Sequence, residues 1–275
     1  MKMDAVFDHL HEMPTIPSVV QELIASFDKE DLDIDQLAKT ISRDQTISAK
    51  VLRLANTAHF GAPRQIGSIE DAVVVLGFDK LRTLVIASGL AGMKVRIANF
   101  DSKQYWIGNL SVGNLSKWLA KLAKLNGEVA FTAGLMHTIG QLLMRLANPK
   151  DESDIDRLVK GGANRIQCEQ NTFGFDHAEV GAELARRWNF PDHIQAAIRM
   201  HAAPMDGEPF SALAGLVHIA EYLMHGVLSD TDTAELRSNF PTVVAQRLGL
   251  PVERIFEELP EVCEQMRGWE TLLND

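Results

Sequence analysis

Nine histidines and two cysteines are the residues of this 275-residue chain best suited to metal, acid–base or nucleophilic chemistry. Imidazole binds metals and exchanges protons near neutral pH, whereas a thiol needs an adjacent base before it attacks anything. Cys168 and Cys263 stand far apart with no second cysteine near either. That spacing excludes a zinc knuckle and a disulfide framework, and both are expected to be reduced thiols. The neighbours of Cys168, Gln167 and Glu169, give no sign of an activating base. Gly-rich loops of phosphate-binding spacing are absent. A histidine on a buried helix is more often hydrogen-bonded in a polar pocket than bound to metal, so each imidazole is weighed first as a packing residue.

Helices must position these groups, because no alternating apolar–polar run is long enough for a sheet. The expected fold class is all-α. Pro14 and Pro17 precede a helix from about Ser18 to Phe27 with Val19, Val20, Leu23, Ile24 and Phe27 on one stripe. Asp33 with Gln36 predicts a capped start for a helix through Ser42, and Asp44 caps the next, to about Asn56. Ser68 opens a helix closed by Gly77, and an amphipathic helix is expected from about Asp79. A long helix carrying Tyr105, Trp106, Leu110, Leu115, Trp118, Leu119 and Leu122 is expected to end at Asn126-Gly127. Glu128 to Ala147 is apolar nearly all round, which predicts one central buried helix stopped by Pro149. Gly161-Gly162 separates two weaker helices, Asp176 caps one to Trp188, and Pro191 starts one to about His201. Breaks are expected at Pro204, Pro209, Pro241, Pro251 and Pro260. With a boundary at Ala98 to Lys103, the predicted organisation is an N-terminal helical half over 1–98, a helical core over 99–228, and an acidic helical tail over 229–275 packed on that core.

A hydrophobic content of 46% is ample for a core of this size. Leu84 to Met93 is about half the ~20 residues a membrane helix needs, and Asp4, Asp8 and Glu12 interrupt the start where a secretory signal would be apolar. A cytoplasmic protein without membrane contact is expected. The net charge of −10 argues against bulk attraction to nucleic acid. It is unevenly spread: residues 39–96 hold nine Lys or Arg against four acids, and residues 206–275 hold thirteen acids against four Arg. Solvated helix faces account for this; steering of a partner is the sharper reading. Residues 36–56 superficially suggest a helix-turn-helix, but Leu37, Ile41, Ile47, Val51 and Leu54 are explained by packing. Arg53, Asn56 and Arg64 are expected to fix the following loop.

The segments PTIPSVVQELI, ISRDQTISAKVLRLANTAHFG and SIEDAVVVLGFDKLRTLVIASGL resemble the first half of the HDOD domain, a relative of the HD-type metal phosphohydrolases. The likeness continues through AGLMHTIGQLLM, FDHAEVGAELARRW, FPDHIQAAIRMHAAP and LVHIAEYL, covering about Pro14 to Leu223. It implies an HD-like multi-helix bundle with an N-terminal helical subdomain. Catalytic HD proteins gather histidines and aspartates from several helices around one or two divalent metals, which polarise a phosphoryl oxygen and acidify a bound water. Carried onto this chain, the surviving ligand positions are His137, His177, His201 and Glu221. The degenerate positions are Gly108 for the early histidine, Thr138 for the aspartate of the pair, Gln141 for a lysine, and Ala202 for a second histidine. Thr138 lacks the two anionic oxygens of an aspartate, and Gln141 supplies no positive charge. His9, His11, His59, His193, His218 and His225 match no ligand position and are taken as surface or packing residues.

The resemblance therefore implies a non-catalytic regulatory or scaffold module of bacterial signal transduction that binds other signalling proteins. No cofactor is expected. The alternative is a metal-dependent phosphohydrolase acting on phosphodiesters or nucleotides, with a single zinc, iron, nickel or manganese ion on the reduced site. A small-molecule or nucleotide ligand is compatible with either reading.

Overall fold

The computed structural model describes residues 2–12, 16–27, 33–57, 64–93, 95, 97–98 and 100–265. Pro14, His59, Lys94, Arg96 and the end of the acidic tail, 266–275, lie outside the described residues. The described chain is helical, with no strand among the described residues.

A short helix α1 (Asp4–Phe7) and a 3₁₀ turn (Asp8–Glu12) precede α2 (Ser18–Ile24), α3 (Ile34–Arg43), α4 (Gln45–Ala55), α5 (Ile69–Leu76) and α6 (Phe78–Ala91). The long α7 (Ser102–Leu122) leads into α8 (Gly127–Met136), α9 (Ile139–Ala147), α10 (Pro149–Lys160), α11 (Arg165–Phe173), α12 (His177–Arg187) and α13 (Asp192–Met200). The C-terminal part holds α14 (Ala212–Leu228), α15 (Thr233–Ser238), α16 (Thr242–Arg247) and α17 (Val252–Gln265).

Most of these starts are written locally. Asp33, Asp44, Ser68, Asp101, Asn164 and Ser211 each accept a backbone N–H three residues on, at 2.9–3.2 Å, and Asp176 forms a full capping box with Glu179. Each cap stabilises its helix by about 1 kcal/mol. Asn56 pairs with Ile66, donating to Ile66 O and accepting from Ile66 N, both at 2.8 Å, while Arg64 pairs with Asp71.

Four expectations are corrected. The central segment is two helices, broken at His137-Thr138, because the His137 ring bonds back to Gly134 O and Thr138 turns toward α7. Asn126 does not end α7; its side chain caps α8 through Glu128 N and Val129 N. α6 is not amphipathic: every residue from Leu81 to Ala91 is buried. Pro260, expected to break the chain, lies inside α17.

Two apolar clusters share the bundle. One runs from Val6 through α2–α6 to α8, α9, α12 and α13; the other joins α7, α8 and α13 to α14–α17. α8 divides its residues between them, Phe131, Leu135 and Met136 to the first and Ala130 and Ala133 to the second. α13 does likewise with Ile194 and Ile198 against Ala197. The ends of these two helices therefore meet at the seam. Glycines let the backbones close there: a Cβ on Gly134 would lie 2.9 Å from Gly113 Cα, and one on Gly140 would lie 2.1 Å from His177 O. No described helix is long and apolar enough to cross a membrane.

Candidate functional site

His137 and His201 occupy equivalent places, each capping the C-terminal end of its helix. The last carbonyls of a helix lack intrahelical donors, and each ring supplies one. His137 Nδ1 lies 2.6 Å from Gly134 O, and His201 Nδ1 lies 2.7 Å from Ile198 O. His177 is the first residue of α12, and its Nδ1 lies 2.6 Å from Glu169 Oε2, which also accepts the His177 backbone N–H at 2.9 Å. A carbonyl or carboxylate oxygen can only accept, so in each ring Nδ1 carries a proton. In a neutral ring Nε2 is then a free lone pair.

The three rings converge. His201 sits 5.1 Å from His137 and 5.5 Å from His177, centroid to centroid, and all three side chains are buried. Glu221, from the middle of α14, brings its oxygens to 3.9 Å from His137 Nε2 and 4.0 Å from His201 Nε2. The exposed His225, one turn on, stands 3.9 Å from the same carboxylate, and His218 Nδ1 lies 2.9 Å from His201 O. His177 Nε2 is buried with no hydrogen-bond partner.

The degenerate positions fall beside this cluster. Thr138 donates to Asn109 Oδ1 at 2.8 Å and lies 3.4 Å from the Tyr105 hydroxyl, so its oxygen is engaged with α7. The α7 residue reaching the histidine–threonine break is thus Asn109, while Gly108 sits one position round the helix with open space at its Cβ. Gln141 is half-buried in the first turn of α9, and Ala202 is exposed. Sequence reasoning gave no site role to Asn109, Tyr105 or Glu169. A polar residue within the apolar stripe of α7 was the available signal for Asn109, and the four-residue spacing of Glu169 from buried Phe173 was the signal for Glu169.

Burial controls the electrostatics. It pushes the His137 pKa down to about 3 against the pull of Glu221, and lowers that of His201 in the same way. Burial would raise Glu221, but His201, His137 and His225 hold it below the usual carboxylate range. It raises the Tyr105 phenol above its ordinary value. A base held neutral by the fold stabilises the protein above its unfolded pKa of 6.5, and this stability is lost as pH falls toward 3. Lowering the pH from about 7 to about 5 is therefore expected to narrow the stability gap between wild type and His137→Gln by about 2 kcal/mol. Urea denaturation at the two pH values measures it; a constant gap contradicts the assignment.

The donor types suit one borderline divalent ion, since their Nδ1 partners orient the imidazoles as second-shell groups do in metal sites. Their placement is looser than a bound ion requires. The Glu221 oxygens stand 3.9 and 4.0 Å from two imidazole nitrogens, about half an ångström beyond the ~3.4 Å of tetrahedral ligands on one ion, and among the described residues no group of three or more His, Cys, Asp or Glu is set to hold a metal. The Thr138 hydroxyl, engaged with α7, offers no anionic oxygen to a second ion.

The chain matches the HDOD domain family model over residues 13–204. Its fold is similar to that of a "Putative phosphohydrolase" from Shewanella amazonensis SB2B, at 32% identity, 98% coverage of both chains and a TM-score of 0.82. It is similar to an HDOD domain protein of unknown function from Geobacter sulfurreducens, at 26% identity, 98% and 97% coverage and a TM-score of 0.83. A "Putative signal transduction protein" from Marinobacter aquaeolei VT8 shares the fold at 20% identity, 99% and 66% coverage and a TM-score of 0.79. The chain spans less than half the length of the curated relatives it matches, 44% in the case of an uncharacterised protein of Treponema pallidum that is 27% identical over 237 residues.

Proposed function

The chain belongs to the HDOD domain family, and from that premise we propose that it is a non-catalytic signalling module that acts by binding other proteins. One observation carries the reading: the hydroxyl of Thr138, at the position where a catalytic relative places a metal-bridging aspartate, is spent on Asn109 and Tyr105. The cluster is then a polar knot joining α7, α8, α12, α13 and α14, and it holds the helix surfaces in register for a partner. The Marinobacter neighbour's description supports a signalling role, and the uneven charge of the chain supports partners of complementary charge.

The second reading is a metal-dependent phosphohydrolase on the reduced site. It is favoured by the Shewanella neighbour's description and by the free, buried Nε2 of His177. The two are separated by purifying the protein without chelators, measuring its metal content, and assaying phosphodiester and nucleotide hydrolysis with added manganese, iron, nickel or zinc. The expected result is no turnover that depends on His137. Substantial turnover abolished by His137→Ala overturns the proposal.

A further inference from the structure

Under the surface hairpin made by α10 and α11 lies a network of charges that the histidine cluster does not explain. The hairpin buries little apolar surface: Ile155 and Phe173, with Val159 and Cys168 partly covered. Charges lie beneath it instead. Glu152 is 0% exposed; its Oε2 is 3.2 Å from Arg165 and 3.8 Å from Arg145, and its Oε1 has no hydrogen-bond partner. Asp156 takes two hydrogen bonds from Arg145, at 2.7 and 2.8 Å, and one from Arg165. Arg165 also reaches Glu169 at 3.4 Å, and the other oxygen of Glu169 holds His177. On the α9 side, Arg145 lies over the Phe100 ring and near Tyr105. Three carboxylates therefore face two guanidinium groups; Glu152 and Glu169 are fully buried while Asp156 and Arg165 reach the surface, and the oxygen left without a partner belongs to Glu152.

We propose that Glu152 is a proton-operated latch for the α10–α11 hairpin. Protonated, it leaves the two arginines matched by Asp156 and Glu169, and the hairpin stays closed. Ionised, it places an unmatched charge out of reach of water, and relief comes by opening.

Burial first, and the Glu169 carboxylate second, push the Glu152 pKa up to about 7 against the two arginines. Arg145 and Arg165 hold Asp156 below the usual carboxylate range despite its burial, and His177 and Arg165 do the same for Glu169. Glu152 is thus the carboxylate of this group that changes charge near neutrality. In the open hairpin it titrates near its ordinary 4.5, so closure is fully favoured below that value, weakens as pH rises toward about 7, and is level above it. Opening also withdraws Glu169 from His177, which connects the latch to the histidine cluster.

Hydrogen exchange of the whole chain, followed by mass spectrometry at about pH 5 and about pH 7.5 and corrected for intrinsic rates, tests this. The amides of 149–173 are expected to lose protection roughly tenfold or more at the higher pH while α7 and α8 do not change. Glu152→Gln is expected to be flat across the same range. Asp151→Asn, at the exposed neighbouring position, should keep the wild-type dependence. Equal hairpin protection at both pH values in the wild type, or a wild-type loss retained in Glu152→Gln, overturns the proposal.

Discussion

Replacing Glu169 with alanine is expected to lower the unfolding free energy by about 2–4 kcal/mol, the cost of leaving two buried donors without an acceptor. Glu169 is 0% exposed, accepts both the backbone N–H and the ring of His177, and faces Arg165. Its removal leaves the backbone N–H and the ring N–H of His177 without an acceptor in a place that water does not reach, while Arg165 keeps Glu152 and Asp156. Chemical denaturation near neutral pH reads the loss. Glu169→Gln, which keeps one carbonyl acceptor but not the charge, should fall between wild type and alanine. A loss below about 1 kcal/mol for the alanine variant would mean that solvent reaches the site after all.

Gly140→Ala is expected to cost about 3 kcal/mol or more, at the upper end of what overpacking costs. An added Cβ would meet His177 O at 2.1 Å and Gly181 N at 2.6 Å. Both are backbone atoms of α12, so no side-chain rotation relieves the clash, and α9 must move away from α12. The thermal midpoint should drop by roughly 5–10 °C. The same movement separates His177 from His137, so chemical shifts of all three buried imidazoles should change with it. Gly108→Ala is the control: its Cβ faces open space, and the more favourable helix propensity of alanine should leave stability level or slightly raised. A Gly140→Ala protein as stable as wild type would contradict the close helix crossing described above.

Much of the fold was legible because its signals are short-ranged. Asp33, Asp44, Ser68 and Asp176 cap helices by bonding two or three residues ahead, and the capped starts fall where the residue types place them. Less was legible where one residue type serves two purposes. Asn126 could end α7 or begin α8, and the choice depends on which backbone N–H groups come within its reach. The apolar run from Glu128 to Ala147 concealed a break because burial on all sides removes the periodicity that marks a helix end.

By itself the sequence determined that this is an all-helical chain, where most helices begin, and that a threonine follows His137 at the position that the resemblance aligns with the aspartate of catalytic HD proteins. These follow from hydrogen bonds and apolar spacings within one or two helical turns. Tertiary structure alone decided that Asn109, 29 residues before Thr138, takes up its hydroxyl, that Glu169 orients His177, and that Glu152 is left with an unpaired oxygen. Those partners are chosen by how closely helices cross, and glycine contacts such as Gly140 on α12 set that distance.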